Sequence, residues 1–216
     1  DYIFHLAAQS FPKTSFDAPN DTYQTNIIGT SNLLETAKEF SEKATIHNCS
    51  SSEVFGRVSK EFVPIKEETP FHPASPYAIS KCSADLIGRH YAEAYNMNIL
   101  TTRMFTHTGP RHGDVFMEST FAKQIALIEA DYLKPVIKTG NLDSVRTIAD
   151  VRDAVRAYHM LVTKNCKPGS VYNIGGSYST TVKSILETLI SMSYTKNITH
   201  EIDIKRMRPI DADLQI

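Results

Sequence analysis

Tyr77-Ala78-Ile79-Ser80-Lys81 sets a phenol and an ammonium four residues apart. On a helix that spacing stacks both groups on one face, one turn apart. A phenol is a poor acid or base near neutrality, because its unperturbed pKa is about 10. A cation held beside it favours the phenolate and lowers that value. Such a pair can move a proton onto or off a substrate oxygen. Taken alone the spacing is common, since a half-exposed Tyr beside a solvated Lys occurs on many helices. Upstream, the apolar run Thr45–Cys49 ends in Ser50-Ser51-Ser52-Glu53-Val54-Phe55-Gly56. In open parallel sheets, ligand-binding and catalytic groups gather just past the carboxyl ends of strands. Hydroxyls and a carboxylate are well placed there, although a serine-rich loop with a solvated Glu is the plainer alternative. His107 and His112 stand five apart, which is neither helical nor metal-ligand spacing, so no metal site is expected. Arg146 and Arg208 carry guanidinium forks suited to phosphate. Arg208, placed before Pro209, reads equally well as a surface residue.

The elements that must position these groups alternate along the chain. Short apolar runs at Tyr2–Ala8, Thr45–Cys49, Asn98–Met104, Val136–Lys138 and Ser170–Ile174 read as strands. Helical period appears from Asn26 to Phe40, Tyr77 to Tyr95, Phe116 to Ala130, Asp150 to Val162 and Thr181 to Ser191. Strands separated by helices of this length predict right-handed crossovers and a mostly parallel sheet with helices on both faces. Ser75-Pro76 supplies an N-cap followed by proline at the first helical position, and Thr180 is placed to cap the last helix. Pro168-Gly169 and Gly175-Gly176 punctuate the run Val171–Ile174. The predicted class is α/β: a doubly wound parallel sheet whose N-terminal part is missing, with a smaller C-terminal lobe. The sheet is expected in 1–108. The stretch 109–216 is expected to be mixed, mostly a substrate lobe with strands and helices returning to the sheet.

Composition narrows the partners. The 216 residues are 41% hydrophobic, and 23 Lys+Arg nearly cancel 24 Asp+Glu. With no basic or acidic tail, binding to nucleic acid or membrane by bulk electrostatics is not expected. No run of eighteen apolar residues suggests a membrane span, and a cytoplasmic location is expected. Cys49, Cys82 and Cys166 are too few and too scattered for a disulfide framework. The chain begins Asp1-Tyr2-Ile3-Phe4, without Met and with an apolar run under way, and it ends without a capping pattern. It reads as a fragment of a longer protein.

Three segments fit together: His5-Leu6-Ala7-Ala8-Gln9-Ser10, then Ser50 to Gly56, then Ser75-Pro76-Tyr77-Ala78-Ile79-Ser80-Lys81. In that order and at those separations they resemble the extended short-chain dehydrogenase/reductases, the NAD-dependent epimerase/dehydratase family. The likeness continues through Arg103 to Arg111, Gly140 to Arg146 and Arg206 to Asp213. It is strongest to the GDP-mannose 4,6-dehydratases and GDP-4-keto-6-deoxy-mannose reductases. The resemblance implies a Rossmann-like sheet and NADP or NAD, with NADP favoured. Leu6, Ala7, Ala8, Gln9 and Ser10 would pass under the nicotinamide, and Tyr23, His107 and His112 would contact the cofactor. Ser51 would hydrogen-bond the sugar 4-oxygen, Tyr77 would act as base at C4, and Lys81 would hold the nicotinamide ribose while tuning Tyr77. Glu53 would remove the C5 proton, made acidic by a ketone at C4. Thr106, Arg146 and Arg208 would bind the substrate, a nucleotide sugar for which GDP-mannose is the expected identity.

The sequence also departs from the family. The glycine-rich loop that holds the pyrophosphate is absent, Gly29 being the first glycine. The stretch as it stands is therefore expected to bind a dinucleotide poorly. Thr106 replaces the usual Asn, His112 an Arg, and Phe55 the common Tyr. The leading expectation is a dehydratase. A reductase or C4 epimerase, which needs only Ser51, Tyr77 and Lys81, and a non-catalytic binding module stay open. The resemblance further implies a homodimer or higher homo-oligomer, pairing through the helix of Tyr77, with Leu86, Ile87, Tyr91 and Tyr95 facing the partner.

Overall fold

The computed structural model describes residues 1–164 and 166–216. Along the chain run β1 (Tyr2–His5), α1 (Pro12–Asp17), α2 (Pro19–Tyr23) and a π-helical turn (Gln24–Ile28) that leads into α3 (Gly29–Phe40). Next come β2 (Thr45–Ser51), α4 (Pro76–Tyr95), β3 (Ile99–Met104), β4 (His107–Thr108), α5 (Met117–Glu129), β5 (Val136–Thr139) and β6 (Val145–Asp150). The remainder is α6 (Val151–Lys164), β7 (Val171–Ile174), β8 (Tyr178–Thr181), α7 (Val182–Met192), β9 (Thr199–Ile202) and β10 (Leu214–Gln215).

The first sheet is parallel throughout, in the order β1-β2-β3-β7. Every residue of β3 is buried, as expected of a strand covered on both faces. Neighbouring side chains of a strand point to opposite faces, and β2 shows both layers. The His47 ring lies 4.3 Å from that of Tyr158 on α6, whereas Asn48 Nδ2 donates to the Ala84 carbonyl of α4 at 2.9 Å. Helix α4 comes that close because Gly88 has no side chain: a Cβ there would meet Asn48 Nδ2 at 2.4 Å. Leu34, Ala37, Ile46, Tyr91, Met97 and Ile99 form the core between sheet and helices. Burying a leucine-sized side chain stabilises by about 2 kcal/mol.

The second sheet runs β10-β6-β4, with β8 antiparallel on β6, and β5 pairs separately with β9. Helices α5 and α7 close over Ile137 through Phe121, Ile125, Ile128, Val182 and Leu186. Three short passages connect the two main sheets: β3 to β4, β6 into α6, and β7 to β8. In the last, a Cβ on Gly176 would lie 1.8 Å from the Ile148 carbonyl oxygen, so backbone runs directly over backbone. No helix is long and apolar enough to cross a membrane, among the described residues.

Three expectations need correction. Helix α7 is capped by Thr181, whose hydroxyl accepts from Ser184 N at 3.1 Å, while Thr180 is taken up in the β6–β8 ladder opposite Arg146. The helix expected from Asn26 to Phe40 is entered through a π turn over Gln24–Ile28, preceded by two short helices each opened by proline, and α3 itself starts at Gly29. On α4, Leu86 and Tyr95 are exposed, but Tyr91 is buried with its hydroxyl donating to Glu35, and Ile87 packs against the core. Both contribute to the packing of α4 on α3, Ile87 remaining half-buried, which leaves Leu86 and Tyr95 as the exposed pair.

Candidate active site

Two ends meet at the centre of the molecule. Strand β2 runs out at Ser51 into a single 3₁₀ turn, and the Ser51 hydroxyl accepts from Glu53 N at 3.2 Å. This cap satisfies a backbone donor the turn leaves free and aims Glu53 past the end of the sheet. Helix α4 begins beside it. The Ser75 hydroxyl caps the helix by accepting from Ala78 N at 3.0 Å, and Tyr77 N donates to the Ser15 hydroxyl at 3.0 Å. One turn on, Lys81 Nζ donates to the Cys49 carbonyl at 2.8 Å, tying helix to strand.

Tyr77 and Lys81 are both buried. Burial pushes the Tyr77 phenol well above its ordinary value, with the Ser51 hydroxyl and, more weakly, Arg208 acting against it. Burial likewise pushes Lys81 below its ordinary value. The expectation that Lys81 lowers the Tyr77 pKa is therefore corrected for this state. Its ammonium is turned onto the Cys49 carbonyl, and desolvation of the phenolate outweighs the neighbouring groups.

Arg208 is half-buried and held by carboxylates rather than free in solvent. Its Nη1 sits 3.3 Å from Glu53 Oε1 and 3.7 Å from Asp211 Oδ1. Arg146, on β6, shares that acceptor: its Nη2 is 3.8 Å from Asp211 Oδ1, and its Nη1 donates to the Val145 carbonyl at 3.0 Å. Both arginines line a cleft of about 770 Å³, with Phe11, Gln124 and Asp211 also on its wall. Ser51, Glu53, Tyr77 and Arg208 are thus brought together, and Arg146 joins them through Asp211. Sequence reasoning did not single out Asp211; its only signal is a position three residues after Arg208.

On the other side lies the Leu6–Ser10 turn, just past the carboxyl end of β1. Leu6, Ala7 and Ser10 are exposed. Gln9 is used internally: its N–H donates to Asn26 Oδ1 at 2.8 Å, its carbonyl accepts from Asn26 Nδ2 at 2.9 Å, and its side chain donates to Thr22. Asn26 Nδ2 also donates to the Ser80 hydroxyl at 2.8 Å, so one buried amide in the π turn fastens the turn to α4. Asn26 too was missed, since an Asn inside a helical stripe reads as solvent-facing. Tyr23 ends α2, half-buried. His107 Nδ1 lies 3.1 Å from the Phe105 carbonyl, so that nitrogen carries the proton. His112 Nδ1 is 3.3 Å from the Thr108 hydroxyl, and its ring stacks 4.3 Å from Phe116. Burial, helped by His107, holds the His112 pKa below its ordinary value. Thr106 is half-buried, its carbonyl accepting from Ala149 N at 3.0 Å. Among the described residues, no cluster of His, Cys, Asp and Glu could hold a metal ion.

An exposed turn of small residues, a buried Tyr-Lys pair and a serine hydroxyl at the end of a parallel sheet fit the nicotinamide end of a dinucleotide. They do not supply a pyrophosphate cradle, and Gly29 merely opens α3. The fold and this arrangement define an extended short-chain dehydrogenase/reductase. A family model described as GDP-mannose 4,6 dehydratase matches residues 1–216, and the chain belongs to that family. It is 32% identical over 193 residues to the GDP-6-deoxy-D-mannose reductase of Pseudomonas aeruginosa, covering 89% of this chain and 63% of that protein. To GDP-mannose 4,6 dehydratase 2 of Caenorhabditis elegans it is 34% identical over 179 residues, 82% of this chain and 46% of that protein. The chain thus spans about half to under two thirds of these curated relatives. Among solved structures, RMD from Pseudomonas aeruginosa complexed with NADPH matches with a TM-score of 0.90 at 30% identity, covering 100% of this chain and 71% of that one. A dTDP-glucose 4,6-dehydratase from Bacillus anthracis in complex with NAD matches with a TM-score of 0.79 at 29% identity, covering 98% and 64%.

Proposed function

We propose that the full-length protein is a GDP-mannose 4,6-dehydratase that uses NADP or NAD. The observation that carries this reading is the Glu53 carboxylate, set two residues after Ser51 on the turn facing Tyr77. When bound, the nicotinamide supplies reversible hydride exchange with a sugar carbon. Leu6 to Ser10 would floor that site, Lys81 would hold the ribose, and Tyr23, His107 and His112 would complete its walls. Tyr77 takes the proton of the C4 hydroxyl while Ser51 hydrogen-bonds the same oxygen. With a ketone at C4, the C5 proton is acidic; Glu53 removes it and passes it to the departing C6 hydroxyl, which leaves as water. The hydride lost from C4 is restored at C6, so that the cofactor would end each turnover unchanged. Arg146 and Arg208 grip the diphosphate, and Thr106 contributes a hydroxyl there. For Arg208 this means exchanging Glu53 for phosphate, which leaves the carboxylate free to act.

A second reading is reduction of a 4-keto-6-deoxy sugar. It is favoured by Tyr77, which burial keeps protonated and so ready to donate to a ketone oxygen, and by the similarity to the Pseudomonas reductase. The deciding experiment is incubation of the full-length protein with GDP-mannose and catalytic NADP or NAD, with products read by mass spectrometry. The dehydratase gives loss of one water without net cofactor reduction, and Glu53→Gln abolishes it. No reaction with GDP-mannose, together with NAD(P)H-dependent reduction of the 4-keto-6-deoxy sugar, assigns the reductase instead.

A further inference from the structure

Arg103, near the end of β3, is 2% exposed, yet it touches both the helix of Tyr77 and Lys81 and the loop that follows the Ser51–Glu53 turn. Its Nε and Nη2 form a fork on Asp85 at 2.8 and 3.1 Å, and Asp85 is itself fully buried. Asp85 lies one turn beyond Lys81 on the same face of α4. The remaining Nη1 donates to the Glu67 carbonyl at 2.7 Å, in the long loop between the Ser51–Glu53 turn and α4. The faces of the guanidinium lie 5.3 Å from the ring of Phe55 and 4.6 Å from that of Phe71. Phe55 is the residue on which the Ser51–Glu53 turn closes, through its N–H to the Ser52 carbonyl. In the β2–β3 ladder Arg103 is paired with Ser50, directly before Ser51.

Stability alone gives little reason for this arrangement. A buried ion pair loses about as much to desolvation as it gains, and well-packed apolar residues of the same volume often do as well. An apolar side chain, however, could not bond Asp85 and Glu67 at once. Lysine has the charge without the planar fork or the faces for stacking. We propose that Arg103 is a positioning residue, fixing the turn of Ser51 and Glu53 relative to the helix of Tyr77 and Lys81. The inference rests on the reading that these four groups do the chemistry. Arg103 acts through them, since its burial gives it no access to a substrate.

The test uses the full-length protein with Arg103→Lys, and separately with Arg103→Met combined with Asp85→Leu. The double variant removes both buried charges and leaves no orphaned carboxylate; Arg89, whose Nε also lies 3.0 Å from Asp85 Oδ1, is about one third exposed and can turn to water, so the fold is expected to survive. Displacing the turn by about 1 Å predicts that kcat falls about 100-fold. KM should stay within about twofold, because the arginines of the cleft are untouched. Arg103→Lys should fall between, about tenfold down. Amide hydrogen exchange in residues 51–57 and 66–72 should quicken while exchange in β3 holds. A folded variant with wild-type kcat, a rise in KM alone, or unchanged exchange at 51–57 overturns the proposal. If the wild type turns over neither GDP-mannose nor the 4-keto sugar, the proposed reaction falls, and the exchange measurement still decides for or against Arg103.

Discussion

His47 gives the sharpest test of how the interior is organised. It is fully buried in β2, its Nε2 lies 2.7 Å from the Thr102 hydroxyl, and its Nδ1 has no partner. Burial, with the charges of His5 and Lys81 nearby, holds its pKa down to about 4. Protonation therefore favours the unfolded chain, where the value is about 6.5. A depressed folded pKa means the stabilisation is complete above pH 6.5 and is lost as pH falls from there towards 4. Between pH 7.5 and 4.5 the loss due to this group is about 2 to 3 kcal/mol, close to 1.4 kcal/mol per unit on the steepest stretch. His47→Gln keeps a nitrogen in reach of Thr102 but cannot titrate. Urea unfolding of both proteins across this range isolates the effect, because carboxylates such as Asp150 contribute equally to each. The wild-type curve should fall relative to the variant by that amount as the pH drops. A difference flat to within about 0.5 kcal/mol, or one that grows in favour of the wild type on acidification, would mean that the buried imidazole accepts its proton in place.

Two other outcomes follow from the site and from α4. Tyr77→Phe removes one hydroxyl without changing the packing of the ring, so kcat should fall about 1000-fold with KM little changed; steady-state kinetics retaining more than about a tenth of wild-type kcat would remove Tyr77 from the proton transfer. Exposed Leu86, Ile79 and Tyr95 on α4 are proposed to pair with a second copy, so Leu86→Arg should turn a dimer into a monomer in light scattering, and a wild type that is monomeric at micromolar concentration rules this out.

What the sequence disclosed depended on how local each signal was. The helix of Tyr77 is announced by Ser75-Pro76, a cap and a first-turn proline whose effect lies within three residues. The end of β2 is marked by the change from an apolar run to hydroxyls. Strand β6 has no such mark: Val145 to Asp150 mixes charged and apolar residues, and it exists because β4, β8 and β10 supply its ladder. Two adjacent threonines equally suited to capping cannot be ranked locally, and the ladder that takes Thr180 leaves the cap to Thr181. Arg208 reads as a surface residue because its partner, Glu53, is 155 positions away. Asn26 looks like a polar position on a helix, and only the fold shows the carbonyl and hydroxyl it bridges. The raised pKa of Tyr77 belongs to the same group: spacing gives the neighbour, whereas burial fixes the sign.

The three short passages between the two main sheets also set the mechanics of the cleft. Two of them join β3 and β7, neighbours in one sheet, to β4 and β8, which flank β6 in the other, and the third runs from β6 into α6, packed on the first sheet. The tie points therefore fall in a row. A body tied along a row to another keeps one easy degree of freedom, rotation about that row, whereas sliding and twisting would have to stretch the backbone. The crossing of Gly176 over the Ile148 carbonyl leaves it no slack for either. Any opening of the cleft is therefore expected to carry Arg146 on β6 about that row, while Arg208 stays tied to Glu53 and Asp211.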